Sequence, residues 1–326
     1  MGRNIGTYAG RMIDWHDIPD GAGRSVAPGA SALYLPRLKV PPATILDYLA
    51  ARFPHVAPCD WRARMLEGRV VRSDGGAIDP MMPYEHGITI HYFREVEREL
   101  PIPFREEIIF HGRHFLIADK PHFLPVVPSG PYVNECLLFR LRRRTGLDAL
   151  TPVHRLDRET AGLVLFALDP EMRSLYHRLF ARRTVGKQYL AVARGSVRCR
   201  DPFVIRSHLA RGNPWFRMQS VVGSVNAVTH VQVIGGREDR LLLRLRPETG
   251  KKHQIRVHLH SIGLPIINDR LYPDVHPYAP YDFSAPLQLL AHRLSFTDPL
   301  SGRPMEFTSE RRLEEFPEAG EMDTDW

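Results

Sequence analysis

The sequence predicts a protein of the α+β class. The apolar run at 163–168 follows a glycine and predicts a strand that is buried on both faces. Two further apolar runs, at 108–110 and 114–118, predict another pair of strands. A helix is predicted from Asp169, because aspartate often caps helices and the proline and glutamate that follow it suit a first turn.

The composition is that of a globular protein with room for two domains. The chain has 326 residues, of which 43% are hydrophobic and 25% are charged. Its net charge of +7 suits a polyanionic partner, although a soluble protein without such a partner can carry the same charge. The 3 cysteines have no Cys-x-x-Cys spacing, which argues against a disulfide framework and a thiolate zinc site. The N-terminus lacks the apolar core of a signal peptide, and no apolar run is long enough to span a membrane. We therefore expect a cytoplasmic protein with no membrane partner.

The N-terminal part divides into two segments. Residues 1–35 are rich in glycine, alanine and proline and predict an extension. Residues 36–100 predict a small unit with a helix capped by Thr44, a second helix from Asp60, and short strands. This arrangement, with several arginines free to point outward, resembles the S-four-like RNA-binding module. A small α/β appendage without RNA contact is the alternative.

A proline-rich joint at 101–103 leads into the larger part of the chain. After the first two strands, Asn134 is predicted to cap a helix that ends at Gly146. Four arginines lie on this helix between residues 140 and 144. They form either a solvated face or a set of phosphate contacts.

Charged and potentially reactive side chains are most concentrated at residues 154–162, in the segment His-Arg-Leu-Asp-Arg-Glu-Thr-Ala-Gly. A loop with such charged side chains before a buried strand can hold reactive groups rigidly. It can also be a surface turn in which the charges pair with one another. The string resembles the signature of the RluA-type pseudouridine synthases, enzymes that isomerise uridine within folded RNA.

Two further motifs extend the resemblance. Lys187-x-Tyr189 resembles the second family motif, although composition alone makes Tyr189 a packing residue. The segment 247–259 resembles the third, with Lys251 where arginine is usual, so a phosphate contact there loses the bidentate fork. The resemblance covers residues 105–308.

The third motif is predicted to be helical, because Gly263 and Pro265 follow it as a stop signal. Its histidines do not indicate a metal site, since they lack a neighbouring cysteine or carboxylate and the zincin spacing. Farther upstream, three arginines and the aromatic pair Trp215-Phe216 can form a flap that faces RNA, with Trp215 in the core as the alternative.

The resemblance implies the pseudouridine-synthase fold, a large mixed and mostly antiparallel sheet with flanking helices, preceded by the small α/β module. The expected organisation is an extension at 1–35, the module at 36–100, a catalytic domain at 101–308 and an acidic tail at 309–326. We expect the tail to be loose.

The resemblance also assigns roles. Asp157 matches the family's catalytic aspartate, which either attacks the anomeric carbon or takes a proton from the neighbouring sugar carbon. Arg256 is expected to pair with it. Tyr189 is expected to lie against uracil and to help remove the proton from its carbon 5, while Arg155 holds the flipped nucleotide or its vacated position. The residues expected to bind substrate are Arg155, His154, Thr160 (which also shapes the turn), Lys187, Lys251, His253 and Gln254.

The expected function is isomerisation of uridine in structured RNA, with large-subunit rRNA favoured and tRNA next. The reaction needs neither cofactor nor metal, and we expect a monomer. One alternative is a catalytically silent RNA-binding or ribosome-assembly factor, which the presence of Asp157, Tyr189 and Arg256 disfavours. The other is a hydrolase with Asp157 and Glu159 as paired carboxylates, which leaves the basic surfaces without a function.

Overall fold

The structure is a computed structural model and describes residues 5–8, 11–14, 25–27, 29–96, 99, 101–196, 201–277, 279 and 282–316. The chain divides into two compact units. One contains Met1–Glu99 and Pro128–Asn134, and the other contains Leu100–Val127 and Glu135–Trp326. Residues 128–134, which the sequence analysis placed in the catalytic domain, therefore group with the N-terminal unit.

In the N-terminal unit, two helices accompany a three-stranded antiparallel sheet and two separate two-stranded antiparallel pairs, one of which joins residues 25–26 to residues 95–96. The predicted extension at 1–35 lies partly outside the described residues, and its described part contributes the first four strands. The elements are β1 Ile5–Tyr8, β2 Arg11–Asp14, β3 Ser25–Val26, β4 Ser31–Tyr34, α1 Ile45–Arg52, α2 Pro58–Leu66, β5 Val70–Arg72, β6 Thr89–Tyr92 and β7 Glu95–Val96.

Local sequence explains both helices. The Thr44 hydroxyl accepts the Asp47 N–H, and the Asp47 carboxylate accepts the Thr44 N–H in return, which confirms the predicted cap of α1. Helix α2 begins at Pro58, two positions before the predicted Asp60, because proline suits a first turn and leaves Asp60 in that turn. Both helices pack their apolar faces around the buried Trp61.

The larger unit contains most of the regular structure. Its elements are β8 Glu107–His111, β9 Phe115–Lys120, α3 Leu137–Thr145, β10 Thr151–Pro152, β11 Ala161–Ala167, α4 Pro170–Ala181, β12 Gly186–Arg194, β13 Phe203–Arg211, β14 Met218–Val221, β15 Ala227–Arg237, β16 Arg240–Pro247, α5 Gln254–Ser261, β17 Leu289–Thr297 and β18 Pro304–Thr308.

An 11-stranded sheet organises this unit, with the order β14-β13-β15-β16-β12-β17-β11-β9-β8. Strand β10 pairs with β11, and β18 pairs with β17. All pairings are antiparallel except β11 with β17, so the sheet is mixed and mostly antiparallel as expected. Every residue of β9 and β11 is buried, which confirms the central strand predicted at 163–168.

Helix α3 differs from the prediction at its start and on its basic face. Its N-cap is Cys136 rather than Asn134, while Gly146 ends it in the left-handed conformation as expected. Arg140 pairs with Glu135 and Glu106 in a mostly buried cluster. These interactions stabilise the fold, so Arg140 is not available as a phosphate contact.

The start of the C-terminal tail is packed against the sheet, contrary to the expectation that it is loose. Ser309 and Arg311 both donate to the buried Asp119 carboxylate, at 2.6 and 3.1 Å. Leu313 and Phe316 are buried in the core. The expectation overlooked these apolar residues among the charged ones, and the rest of the tail, 317–326, lies outside the described residues.

Candidate active site

The loop at 154–160 runs directly into β11 and is closed by a tight turn. The Thr160 N–H donates to the Asp157 carbonyl at 3.2 Å. Gly162 then has a φ of +113°, and a Cβ there would lie 2.2 Å from the Ala291 carbonyl oxygen of the neighbouring strand. Only glycine fits so close to β17. Asp157 therefore lies in a loop just before the start of a rigid, buried strand.

Two side chains from the end of β9 and the loop after it hold the main chain of this turn. The buried Lys120 Nζ donates to the Arg158 carbonyl at 3.0 Å and to the carbonyls of Pro121 and Leu124 at 2.9 and 2.8 Å. His122 Nδ1 donates to the next carbonyl of the turn, Glu159 O, at 2.6 Å. Burial lowers the pKa of Lys120 to about 7 and that of His122 to about 4.

Arg256, on α5, meets the carboxylate of the same turn. Its Nη1 donates to Asp157 Oδ2 at 3.1 Å, while Nε and Nη2 donate to the two oxygens of Asp269 at 2.7 and 2.6 Å. Arg256 and Asp269 are almost completely buried. Burial lowers the pKa of Arg256, but the hydrogen-bonded Asp269 and the nearby Asp157 raise it by more than burial lowers it. The pKa therefore lies above the ordinary value of arginine, and the guanidinium stays charged.

Asp157 is ionised at neutral pH although its side chain is only 26% exposed. Burial alone raises its pKa, but the His253 imidazole, Arg256 and Lys252 lower it below the ordinary value of aspartate. His253 Nε2 lies 3.9 Å from Asp157 Oδ1. Because burial lowers the pKa of His253 to about 4, this ring is neutral near pH 7, and the cations that face Asp157 there are Arg256 and Lys252.

A buried polar network supports the start of α5. The Gln254 amide donates to Val228 O and to the Thr229 hydroxyl, and its oxygen accepts from the Thr249 hydroxyl at 2.7 Å. His253, immediately before the helix, has a φ of +54°, an unusual conformation for a residue with a Cβ. In this conformation the imidazole lies beside Asp157.

A cavity of about 1040 Å³ opens beside these groups. It brings together every residue that the sequence analysis assigned to the site, namely His154, Arg155, Asp157, Thr160, Lys187, Tyr189, Lys251, His253, Gln254 and Arg256.

The structure changes the interpretation of three of these residues. Gln254 and Thr160 are buried, and the Gln254 amide is engaged by the protein, so both support the site rather than offering polar groups to a ligand. Tyr189 lines the cavity from β12, but burial and then the charge of Asp157 raise its pKa above the ordinary value of tyrosine. A phenol held in its neutral form is a poor base, which does not favour the expected role in proton removal.

The proposed flap is the hairpin tip between β13 and β14, and it is tied to the site. Trp215 is 73% exposed, so it is not a core residue. Lys252 Nζ donates to Phe216 O at 2.8 Å. The guanidinium of Arg217 lies 4.7 Å from the ring centre of Tyr272, whose hydroxyl is 3.0 Å from His253 Nδ1.

Sequence reasoning missed Asp269, Lys120 and His122. Asp269 stands in the segment at 265–272, which resembles the family but offered no reason to assign a role to one carboxylate. Lys120 and His122 lie at and after the end of a predicted strand, where residue type alone gives no reason to assign them a role. The signal that reveals all three is contact with the loop at 154–160 or with Arg256, and contacts between distant segments are not visible in one sequence.

Two features of the described residues bear on other functions. In the part of the chain that the structure describes, no group of three or more His, Cys, Asp or Glu side chains is placed to hold a metal ion. Within the same residues, no helix has the length and apolar character needed to cross a bilayer.

Comparison with known proteins gives consistent matches. Residues 114–261 match the family model described as RNA pseudouridylate synthase. The chain is 30% identical over 218 residues to the dual-specificity RNA pseudouridine synthase RluA of Haemophilus influenzae, covering 66% of this chain and 97% of that protein. It is 31% identical over 314 residues to the ribosomal large subunit pseudouridine synthase D of Neisseria meningitidis, covering 90% and 82%.

A solved structure agrees on the fold. Human RNA Pseudouridylate Synthase Domain Containing 1 superposes with a TM-score of 0.53 at 23% identity, covering 64% of this chain and 84% of that one. With the three motifs gathered around one cavity, the chain belongs to the RluA-type pseudouridine synthases, enzymes that isomerise uridine in RNA.

Proposed function

We propose that Asp157 is the catalytic carboxylate for isomerisation of a uridine that is flipped out of structured RNA into the cavity. The observation that carries this proposal is the pairing of Asp157 with Arg256 at 3.1 Å at the wall of the cavity. The buried guanidinium keeps the carboxylate ionised, and Asp269 holds the guanidinium from its other side. An ionised, oriented carboxylate is what the chemistry requires where positive charge develops on the sugar.

The reaction breaks the bond from C1′ to N1 of uracil and forms a bond from C1′ to C5. Asp157 stabilises or captures the electron-poor sugar while the base turns. N1 then gains a proton and C5 loses one, so the product is an isomer and no oxidant or reductant is consumed. A base within a helical stack is out of reach of this side chain, which is why the proposal includes flipping.

Tyr189 is proposed to pack its ring against the uracil during this rotation. It lines the cavity from the strand next to β17 and is neutral because burial and Asp157 raise its pKa. A neutral aromatic ring offers an apolar surface on which a base can turn.

The charges around the cavity support a polyanionic substrate rather than a free nucleoside. The carboxylates among its lining residues are Asp157 and Glu248, whereas its lining cations are Arg155, Arg173, Arg183, Lys187, Lys251, Lys252 and Arg256. Glu159, the second carboxylate of the hydrolase alternative, is not among the lining residues and pairs with Arg158 at 2.9 Å. Both observations favour an RNA isomerase over a nucleoside hydrolase.

We favour large-subunit rRNA as the target, with tRNA next. The match that spans 90% of this chain is to a protein named as a ribosomal large subunit enzyme. The relative named as dual-specificity matches 66% of the chain.

The direct test uses purified protein and RNA from cells that lack the gene, labelled with tritium at carbon 5 of uridine. Wild-type protein is expected to release tritium to water and no free uracil, since isomerisation removes the C5 hydrogen and keeps the base attached. Asp157→Asn is expected to release neither while still binding the RNA. Free uracil as a product, or undiminished tritium release by Asp157→Asn, would contradict the proposal.

A further inference from the structure

One wall of the cavity carries a group of donors that the proposed chemistry does not use. Arg173 and His177 come from α4, Arg183 follows that helix, His154 precedes the catalytic turn, and Lys187 lies on β12. We call these five residues the α4 cluster. Within the described part of the chain, none of them forms an ion pair with a carboxylate.

His154 contributes a neutral N–H donor. The Leu165 N–H donates to His154 Nε2 at 3.1 Å, so the neutral ring must carry its proton on Nδ1. Burial lowers the pKa of His154 to about 3, with Lys187 and His177 adding to the effect, so the ring stays in this tautomer at neutral pH. Its face stacks on Phe180 with the ring centres 4.6 Å apart, which holds the ring in place.

Lys187 and Arg183 place cations beside it. Lys187 Nζ donates to the Thr249 carbonyl at 3.1 Å, which leaves two of its hydrogens for other acceptors. Arg183 has a φ of +58° just after the end of α4, a position and conformation typical of glycine. A long cationic side chain in a strained backbone conformation beside a cavity suggests a functional use.

The cluster has excess positive potential. Burial and then Arg183 lower the pKa of Lys187 to about 8, and burial and then Arg173 lower the pKa of His177. Arg173 Nε donates a hydrogen bond to His177 Nε2 at 3.3 Å. The hydrogen-bond partner of this imidazole is therefore another cationic side chain and not a carboxylate. The carboxylate of Glu248 also lines the cavity and interacts electrostatically with Arg183, but the three cations of the cluster outnumber it. Like charges held close together repel one another, and a bound anion would relieve that repulsion.

We propose that the α4 cluster is a subsite for a phosphodiester group of the substrate RNA strand, next to the pocket for the reacting uridine. This inference rests on the proposed function and adds the position of the backbone contact. Arginine, lysine and a fixed N–H donor are the groups that bind phosphate oxygens in proteins. The subsite would hold the strand while the base is out of the stack.

The test compares Arg173→Gln and Arg183→Gln with Arg178→Gln and Arg182→Gln. The control arginines belong to the same helix and its C-terminal end and are exposed, but they are not lining residues of the cavity. With RNA from cells lacking the gene as substrate, each cluster variant is expected to raise KM severalfold at unchanged kcat. The plot of log kcat/KM against log salt concentration should become shallower by about 0.7–0.9 for each lost phosphate contact.

Unchanged KM and salt slope in both cluster variants, or equal changes in the control variants, would overturn the subsite. A second arm uses inorganic phosphate alone and needs no activity. Proton NMR is expected to show a higher pKa for His177 in phosphate than in sodium chloride of equal ionic strength, and Arg173→Gln should reduce the difference. Identical titrations in the two salts would also overturn the proposal.

The two proposals fail separately. If the α4 cluster binds no phosphate, the wild-type enzyme still releases tritium through Asp157, with KM insensitive to the α4 variants. If Asp157 is not catalytic, the phosphate effect on His177 is unaffected.

Discussion

The guanidinium of Arg256 reaches the carboxylate of Asp157 at 3.1 Å from a position 99 residues later in the chain. Lys120 and His122 donate hydrogen bonds to main-chain carbonyls of the turn that contains Asp157, and Arg256 donates to the Asp157 carboxylate. Asp269 completes the arrangement, since it occupies the two remaining donor groups of the guanidinium. The proposed catalytic carboxylate is therefore oriented through both its backbone and its side chain.

Asp269→Asn is expected to lower kcat about ten- to hundredfold with little change in KM. The substitution removes the charge that orients Arg256, and losing a charged hydrogen bond costs roughly 1.5–3 kcal/mol. Single-turnover tritium release on RNA from cells lacking the gene measures the effect. Asp282→Asn removes an exposed partner of Arg270 and is the matched control, expected to leave kcat unchanged. Equal kcat in both variants would show that Asp269 does not orient the guanidinium.

His122 variants separate positioning from simple packing. An asparagine amide lies close to the position of imidazole Nδ1, so His122→Asn keeps a donor for Glu159 O, whereas His122→Gln and His122→Ala do not. We expect the last two to lower kcat about tenfold, in line with the loss of one hydrogen bond, and His122→Asn to retain most activity. If His122→Asn is as slow as His122→Ala, the hydrogen bond to the turn is not what matters.

The proposed phosphate subsite predicts a step in the pH profile. Because the pKa of Lys187 is lowered to about 8, the side chain is charged below that pH and neutral above it. The value of kcat/KM for RNA should therefore fall as pH rises through about 8. Lys187→Met should have a lower plateau and lack this step. A step of the same size in Lys187→Met would assign it to another group.

Trp215 offers a test of the flap. Its side chain is 73% exposed at the tip of the β13–β14 hairpin, where it can stack on a base. Trp215→Ala is expected to raise KM about five- to hundredfold, since stacking of one base contributes roughly 1–3 kcal/mol. Trp215→Phe keeps an aromatic surface and should recover most of the affinity. Unchanged KM in Trp215→Ala would remove the hairpin tip from the RNA contact surface.

The packed start of the C-terminal tail predicts a stability effect. Phe316 is 4% exposed, so Phe316→Ala is expected to lower the free energy of unfolding by about 3 kcal/mol. Glu314 is exposed and lies two positions earlier, so Glu314→Ala should change the free energy of unfolding by less than about 0.5 kcal/mol. Denaturant unfolding followed by circular dichroism measures both. Equal midpoints for the two variants would mean that the tail does not stabilise the fold.

Much of the local structure was predictable because its causes lie within a few residues. The Thr44 cap, the helix that starts after Asp169, the stop at Gly146 and the buried run in β11 all follow from residue type and spacing. The errors have equally local causes. Asn134 has a typical capping side chain, but the helix begins after Cys136, two positions later, without a side-chain cap. In the tail, the prediction followed the charged residues and overlooked two buried apolar ones.

The sheet order and the support of the site were not predictable in this way. The α+β class followed from the pattern of elements, whereas the mixed sheet came from the resemblance to a family. Nothing in the sequence near Asp269 or His122 indicates their contacts, because these depend on strands that meet only in the folded chain. Motifs identified the residues of the cavity, and the structure was needed to separate those that face it from those that support it.

The most direct test of the central claim is pseudouridine mapping of total cellular RNA from cells with and without the gene. The gene-less cells are complemented either with wild type or with Asp157→Asn expressed at an equal level. The account predicts at least one pseudouridine that disappears without the gene, returns with wild type and does not return with Asp157→Asn. Recovery of the modified site by Asp157→Asn would contradict the catalytic role of this carboxylate.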